Sequence, residues 1–233
     1  MAADAKTLDF TVRGFLFELR EIDGRLSLRA PHLAGYGAIS ADWQSADVRR
    51  RIQGGKKQLL ARAVGLHKHP NLQVLDGTAG LGRDGYTLAA LGATVTLVER
   101  TPALVRLLRD AQARALIDDS SRAIASRMTV VEAVTHELLA RCAAEATRWD
   151  VVYVDPMYPE DGKSALPAKE MQVLRDLTGG DADADTLLEP ALACARQRVV
   201  VKRPAKAPWL AGRKPNLEYL GTQARFDVYL PAR

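Results

Sequence analysis

The sequence predicts an α/β fold with a mostly parallel sheet whose last strand is antiparallel, preceded by a small N-terminal α+β domain. From Leu72 onward, apolar strand-like runs alternate with helical patterns, which is typical of a parallel sheet. A glycine-rich segment at residues 77–82 directly follows the first of these runs. The last two strand-like segments, Tyr219–Leu220 and Phe226–Leu230, are too close for an intervening helix, so they should pair antiparallel.

The N-terminal domain is expected over residues 1–68 and the larger domain over residues 69–233. Residues 8–29 resemble a β-hairpin with its turn at Asp23-Gly24. A helical region interrupted at Gly54-Gly55 follows. The strands predicted for the larger sheet before its final pair are Val74–Asp76, Val95–Glu99, Met128–Glu132, Val151–Asp155 and Arg198–Lys202.

Composition restricts the class of protein. The chain has 233 residues, of which 47% are hydrophobic and 26% charged, and this suits a globular protein with a substantial core. No apolar run reaches the length of a bilayer span, and the N-terminus lacks an apolar signal core, so we expect a cytoplasmic location without membrane association. The two cysteines are far apart, and no histidine lies at ligand spacing from them, so we expect free thiols and no metal site.

Charge is unevenly distributed along the chain. Residues 1–70 carry a net charge of +5, residues 71–198 carry −5, and residues 199–225 carry +5. Two basic flanks around an acidic domain favour a polyanionic substrate.

The glycine-rich segment indicates a nucleotide or nucleoside-cofactor site. An apolar strand ends at Asp76, and glycines at 77, 80 and 82 allow the backbone to pass close beneath a ligand. The helix that follows offers free N–H groups. Residues 80–85 also satisfy G-x-G-x-x-G, with Glu99 at the end of the next strand, so an NAD or FAD oxidoreductase is one alternative.

A second strand ends in Asp155-Pro156-Met157-Tyr158, for which a dinucleotide enzyme has no use. This motif resembles the (Asp/Asn)-Pro-Pro-(Tyr/Phe) motif of S-adenosylmethionine-dependent amino-group methyltransferases. It therefore favours a class I, Rossmann-like methyltransferase that binds S-adenosylmethionine. Asp155 and the Pro156 carbonyl are expected to accept hydrogen bonds from an exocyclic amine and so direct its lone pair. Tyr158 offers a face for base stacking.

Cofactor contacts are expected along the carboxyl ends of the strands. Asp76 would accept a hydrogen bond near the methionine part, while Gly80 and Gly82 leave room for the ligand. Arg83 would contact the cofactor carboxylate. Asp84 suits the helix N-terminus.

The nucleoside part of the cofactor is expected beside the next two strands. Glu99 would accept both ribose hydroxyls, because a carboxylate has two oxygens for two donors. Arg100 would lie beside the adenine, and Thr135 would approach its edge. RNA phosphates are expected to contact Lys163, Lys169, Lys202 and Arg203.

From Gly54 to Tyr229 the chain resembles the RsmJ family, which methylates a guanine N2 amine in small-subunit (16S) ribosomal RNA. The matching blocks are Gly54-Gly55, Asp76 with Thr78-Ala79-Gly80-Leu81-Gly82-Arg83-Asp84, Glu99-Arg100, Asp155-Pro156-Met157 with Pro159, Lys163-Ser164-Ala165-Leu166, Lys169-Glu170-Met171, Leu187-Leu188-Glu189-Pro190, Val199-Val200-Val201-Lys202-Arg203-Pro204 and Arg225-Phe226-Asp227 with Tyr229.

The resemblance implies S-adenosylmethionine as cofactor and ribosomal RNA or the small ribosomal subunit as partner. It also implies cofactor contacts at Arg83-Asp84, Glu99-Arg100, Val134-Thr135 and Asp155. Two alternatives remain open at this point. A DNA adenine or other amino-group methyltransferase would carry the same two motifs, and a non-catalytic ribosome-assembly factor would bind RNA without turnover.

Overall fold

The computed structural model describes residues 7–157, 169–222 and 224–232. The chain begins with an antiparallel sheet of three strands, β1 (Leu8–Val12), β2 (Phe15–Ile22) and β3 (Arg25–Arg29). The predicted turn at Asp23-Gly24 is confirmed, but the predicted two-stranded hairpin is wrong. A second turn at Arg13-Gly14 divides the first half, and both of its residues have positive φ, 54° and 84°. This geometry suits a tight two-residue hairpin turn.

The helical region after this sheet is interrupted where the paired glycines predict. Helix α1 (Ala46–Gln53) ends at Gly54, a short 3-10 turn covers Gly55–Lys57, and helix α2 (Leu59–Val64) ends at Gly65. Gly65 has φ 98°, a conformation that favours glycine at the end of a helix. This region leads directly into the larger sheet.

Within the described residues the larger sheet has seven strands. They are β4 (Gln73–Asp76), β5 (Thr94–Glu99), β6 (Met128–Glu132), β7 (Trp149–Val154), β8 (Ala195–Pro204), β9 (Leu217–Leu220) and β10 (Ala224–Tyr229). Their spatial order is β6-β5-β4-β7-β8-β10-β9. The pairs from β6 to β8 are all parallel, and β10 runs antiparallel to both β8 and β9. The predicted mostly parallel sheet with an antiparallel last strand is confirmed.

The helices that connect these strands are α3 (Arg83–Ala90), α4 (Pro102–Ile117), α5 (Arg122–Ala125), α6 (Thr135–Ala144), α7 (Lys169–Thr178) and α8 (Leu188–Cys194). Across the described part of the chain, none of the helices is long and apolar enough to cross a membrane.

Two apolar layers cover the two faces of the large sheet, and alternate residues of one strand enter different layers. Val74 packs with α3 and α4, whereas its neighbour Leu75 packs with α6 and α8. Phe17 of β2 is fully buried in the same layer as Val74. The core therefore continues from the small sheet into the large one, and the division at residue 68 stays a prediction.

Because β4, β5, β7 and β8 are parallel, their carboxyl ends lie along one edge of the sheet. The strand order reverses between β4 and β7. From β4 the chain adds β5 and then β6 on one side of the sheet, and from β7 it adds β8 on the other side. Open α/β sheets bind ligands in the crevice at such a switch point.

Candidate active site

A cavity of about 310 Å³ opens at the switch point, between the ends of β4, β5, β7 and β8. This volume lies in the range of small-molecule sites. Within the described residues its wall includes Asp76, Thr78, Gly80, Arg83, Asp84, Glu99, Arg100, Val134, Thr135, Asp155, Met157, Glu170 and Lys202. Nine of the ten predicted cofactor residues line it, and the tenth, Gly82, lies beside it as the residue that caps α3.

The loop after β4 is folded around the Asp76 carboxylate, which is 2% exposed. Its Oδ1 atom accepts a hydrogen bond from the Thr78 amide at 3.2 Å. Burial, together with nearby Asp84, raises the pKa of Asp76 to about 8. This carboxylate is therefore largely neutral at pH 7, in a wall that faces the ligand space.

Two glycines of the loop serve different purposes. Gly80 has φ 53°, and the position of a Cβ there has no atom nearer than the Thr78 carbonyl at 4.0 Å, so the backbone is open toward the cavity. Gly82 has φ 74°, and a Cβ there would lie 2.8 Å from Leu108 and 2.9 Å from Trp43. Gly80 thus leaves space for a ligand, whereas Gly82 allows α3 to pack closely on its neighbours.

Glu99 is held at the end of β5 by two backbone amides. The Gly80 amide donates to Oε2 at 2.9 Å, and the Thr101 amide donates to Oε1 at 2.8 Å. Burial raises the pKa of Glu99, and these two amides oppose the shift. Each oxygen keeps a further lone pair, so the predicted role toward two ribose hydroxyls stays open to this residue.

The two arginines expected at the cofactor are both paired with carboxylates in the structure. Arg83 donates two hydrogen bonds of 2.7 Å to Glu170 on α7. Arg100 donates to Asp181 at 2.7 Å and to both oxygens of Asp183. These pairs connect the segments after β4 and β5 to α7 and the residues that follow it, on the far side of the cavity.

The Asp155 carboxylate follows β7 and binds Lys202 of the neighbouring strand β8. The Lys202 Nζ atom lies 2.7 Å from Oδ2 of Asp155 and 3.0 Å from Oδ2 of Asp84. The Asp155 amide donates to the Thr78 hydroxyl at 2.6 Å, which joins the acceptor motif to the glycine-rich loop. The Asp155 side chain is 38% exposed, and among the described residues its Oδ1 atom accepts no hydrogen bond. That oxygen is therefore available to a substrate.

Asp84 lies at the centre of a charged cluster. Its Oδ1 atom accepts from Arg51 at 2.9 Å, and its Oδ2 atom accepts from the Tyr153 hydroxyl at 2.7 Å as well as from Lys202. The pKa of Asp84 is lowered because Lys202, Tyr153 and Arg51 outweigh the opposing effect of burial. Despite burial, the two carboxylates raise the pKa of Lys202, so its ammonium group stays charged.

Thr135 is buried at the start of α6, and its hydroxyl donates to the Gly77 carbonyl. Val134 is the residue just before α6 begins, and it also lines the cavity. A Cβ at Gly77 would lie 2.7 Å from the Thr135 methyl group, so the glycine allows α6 to lie close against the glycine-rich loop.

The predicted acceptor and RNA residues have different outcomes. Tyr158 and Lys163 lie outside the described residues. Lys169 begins α7 and is exposed, with its ammonium group 5.4 Å from the Tyr36 ring centroid. The prediction that Arg203 contacts an RNA phosphate is wrong. Its side chain is buried and donates to the Pro208 carbonyl at 2.9 Å. Lys202 binds two carboxylates inside the site rather than standing on an RNA-facing surface.

Sequence reasoning missed Arg51, Tyr153 and Glu170 as parts of the site. Tyr153 could have been found, since residues two apart in a strand share a face and Asp155 was already singled out. Arg51 and Glu170 reach the site from distant parts of the chain, and no local spacing indicates it.

The residues present fit S-adenosylmethionine. Gly80 provides an open backbone position that a Cβ would fill, and the buried Asp76 and Glu99 carboxylates provide acceptors for an amine or for hydroxyls. Arg83 provides a guanidinium at the cavity wall for a carboxylate. The donor and acceptor set thus matches the amino-acid and ribose parts of that cofactor.

The chain matches the family described as "Putative SAM-dependent methyltransferase" over residues 9–231. It is 49% identical over 216 residues to a Vibrio vulnificus protein named ribosomal RNA small subunit methyltransferase J, covering 89% of this chain and 83% of the relative. A protein of the same name from Laribacter hongkongensis is 47% identical over 210 residues, covering 89% and 73% of the two chains.

The structure is also similar to the crystal structure of a SAM-dependent methyltransferase from Neisseria gonorrhoeae. The TM-score is 0.73 at 37% sequence identity, and the match covers 91% of this chain and 82% of that one.

Proposed function

The chain belongs to the ribosomal RNA small subunit methyltransferase J family, and we propose that it transfers a methyl group from S-adenosylmethionine to the exocyclic N2 amine of a guanosine in small-subunit (16S) ribosomal RNA. The observation that carries the proposal is the joining of two motifs in one cavity. The Asp155 amide bonds to Thr78 of the cofactor loop, so the acceptor motif and the cofactor loop form a single wall.

The acceptor chemistry depends on the Oδ1 atom of Asp155, which Lys202 leaves available. An exocyclic amine is a weak nucleophile, because its lone pair is delocalised into the ring. An amine N–H that donates to Oδ1 of Asp155, with the other donating to the Pro156 carbonyl, leaves the lone pair directed at the reacting methyl group. Positive charge develops on the amine during transfer, and the adjacent carboxylate stabilises it and can take the proton.

Lys202 supports this step without touching the amine. Its ammonium group occupies Oδ2 of Asp155, so the substrate is left with Oδ1. Burial raises the pKa of Asp155 and Asp84 adds to the rise, whereas the positive charge of Lys202 opposes it and so favours the ionised carboxylate. Lys202 is therefore a positioning residue for Asp155.

The bound cofactor supplies an electrophilic methyl group on a sulfonium, which is already activated for transfer. Asp76, Gly80, Arg83 and Glu99 are the residues that would hold it. A guanine must leave its stack to bring N2 to Asp155, so we expect the target base to be flipped out or already unstacked.

The decisive experiment is transfer of tritiated methyl from S-adenosylmethionine to small ribosomal subunits, naked ribosomal RNA and duplex DNA. The ribosomal material should come from cells that lack this activity, so that the target site is unmodified. Label recovered as N2-methylguanosine supports the proposal. Label in another nucleoside, or in none of the acceptors, would overturn the assignment of the guanine N2 amine.

A paired variant isolates the acceptor motif. Asp155→Ala should abolish transfer while cofactor affinity, measured by calorimetry, falls far less. Equal loss of both would make Asp155 a cofactor residue only. The matched control is Asp119→Ala, because Asp119 is 92% exposed and lies outside the cavity.

A further inference from the structure

The cavity that receives the target base repels the rest of an RNA strand. Besides the largely neutral Asp76, its wall within the described residues carries six carboxylates, at Asp84, Glu99, Asp155, Glu170, Asp181 and Asp183. The four Lys and Arg residues of the same wall are Arg51, Arg83, Arg100 and Lys202, and each is already in an ion pair with a carboxylate. Phosphates that flank the base therefore need cations outside this wall.

A stretch of 28 residues close to the site has cations and no acids. Residues 48–75 contain seven Lys and Arg residues and not one Asp or Glu. Within its first half lies the Gly54–Lys57 turn between α1 and α2, which we call the glycine-lysine turn. The side chains of Lys56 and Lys57 are exposed, and among the described residues neither ammonium group has an ion-pair partner.

One end of this turn is tied to the active site through α1. The Arg51 guanidinium donates to Asp84 inside the cavity, while the Arg51 carbonyl accepts from the Gly54 amide at 3.1 Å and from the Gln58 side chain at 2.7 Å. The glycine-lysine turn is thus folded against Arg51, whose side chain reaches Asp84 in the cavity.

The other end is tied to the same edge of the sheet. Leu59 packs against Gly221, where a Cβ would come within 2.8 Å of its side chain, and the Gly221 amide donates to the Ala224 carbonyl. Ala224 is in register with Pro204, two residues beyond Lys202 on β8. The glycine-lysine turn therefore passes along the active-site edge of the sheet, from α3 to β8 and β10.

We propose that the glycine-lysine turn, through Lys56 and Lys57, binds the sugar-phosphate backbone of the RNA that flanks the target base. The turn leaves its backbone accessible as well, since Gly55 has φ 58° and no atom within 4 Å of the position of a Cβ. Exposed lysines on a short, firmly held turn beside an acidic cavity attract phosphates while the base alone enters the site. This inference rests on the proposed function, because it takes RNA as the substrate.

The test is RNA binding and transfer by the full chain with Lys56→Ala and Lys57→Ala combined. The probe is a small-subunit ribosomal RNA fragment that contains the target site, and affinity is measured by fluorescence anisotropy over a range of salt concentrations. We expect the double variant to bind about tenfold more weakly, with the slope of log K against log salt reduced by about 1 to 2. KM for RNA should rise, whereas kcat and cofactor affinity should be unchanged.

The matched control removes the same charge from the opposite edge of the sheet, with Arg141→Ala and Lys214→Ala combined. Both side chains are exposed, and Lys214 precedes β9 near the end of β10 that pairs with Val199. The control should keep the affinity and salt slope of the wild type. If the two double variants weakened RNA binding equally, the loss would come from net charge and not from the turn, and the proposal would be overturned. A Lys56 and Lys57 variant that binds RNA like the wild type would overturn it as well.

The two proposals fail in different ways. A wild type that binds the fragment through this turn but forms no N2-methylguanosine contradicts the proposed function alone. A wild type that forms N2-methylguanosine with unchanged KM in the Lys56 and Lys57 variant contradicts the role of the turn alone.

Discussion

The Nζ atom of Lys202 lies 2.7 Å from Oδ2 of Asp155, which joins the ends of two parallel strands by one ion pair. Lys202 also lies 3.0 Å from Asp84, at the start of α3. One ammonium group thus connects the residue after β7 to the first turn of α3. Because β7 and β8 are adjacent and parallel, this contact is a direct consequence of the sheet order.

Replacing Lys202 with Met should lower kcat by about 100-fold while leaving cofactor affinity near that of the wild type. Without the cation, the pKa of Asp155 rises, so a larger fraction of the carboxyl is protonated at a given pH and cannot accept the amine proton. The acid limb of the kcat profile should therefore move to higher pH. Lys202→Arg keeps the charge and should restore part of the activity and the original limb. An unmoved limb in Lys202→Met would argue against a role through Asp155.

Asp76 gives the fold a pH dependence that can be measured without substrate. Its pKa is about 8 in the folded protein and near 3.8 in the unfolded chain, so folding takes up a proton between these values. The stabilising contribution of the protonated carboxyl is complete below about pH 4 and is lost as the pH rises through 8. Asp76→Asn removes this loss and should raise the free energy of unfolding at pH 8 by about 5 kcal/mol, an increase of about 10–20 °C in Tm.

At about pH 3.5 the stability difference between the Asp76→Asn variant and the wild type should become small, because the Asp76 carboxyl is then largely protonated in the unfolded chain as well as in the folded protein. Thermal unfolding at the two pH values checks this, with the exposed Asp119→Asn as a control that should show no such difference. The same variant should bind S-adenosylmethionine about tenfold more weakly, since Asp76 can ionise beside the cationic cofactor whereas the amide cannot. A larger gain in stability over the wild type at about pH 3.5 than at pH 8 would contradict the raised pKa of Asp76.

Gly80 and Gly82 should respond differently to alanine. At Gly82 a Cβ would lie 2.8 Å from Leu108, so Gly82→Ala should lower the free energy of unfolding by about 2–4 kcal/mol through overpacking and backbone strain. Gly80→Ala meets no neighbour and should cost only about 1 kcal/mol, but its methyl group enters the ligand space and should weaken cofactor binding more strongly.

Chemical denaturation and calorimetry on both glycine variants separate stability from binding. Gly92→Ala is the control, because Gly92 also has positive φ and open space but lies outside the cavity. If Gly80→Ala bound the cofactor as tightly as Gly92→Ala does, the loop would not approach the ligand at that residue.

Glu170 and the cofactor carboxylate are expected to compete for Arg83. Glu170 binds both terminal nitrogens of the guanidinium at 2.7 Å, which is the geometry that a free carboxylate would use. Glu170→Gln should therefore tighten S-adenosylmethionine binding by about threefold, whereas Arg83→Met should weaken it by about tenfold. Titration calorimetry measures both, and weaker binding in Glu170→Gln would show that the pair supports the cofactor site instead.

Much of the site could be predicted because its signals are local. The Asp76 to Asp84 segment and the Asp155 motif each end a strand, and the parallel sheet brings such ends to one edge. The small sheet was harder, since Arg13-Gly14 lies within a run of mixed residues and its turn depends on two positive φ values that composition does not display.

The sequence by itself predicted the sheet type and the two motifs, because alternation, strand-end carboxylates and glycine spacing act over a few neighbouring residues. Nine of the residues predicted to contact the cofactor line the cavity, and some of these, such as Val134, were indicated by the family resemblance alone. The tertiary structure alone decided which charges meet. It placed Arg51 on Asp84, Glu170 on Arg83 and Lys202 on Asp155, and it buried Arg203. These partners are separated by 33 to 87 residues in the chain, so only the packing of α1, α7 and β8 around one sheet edge brings them together.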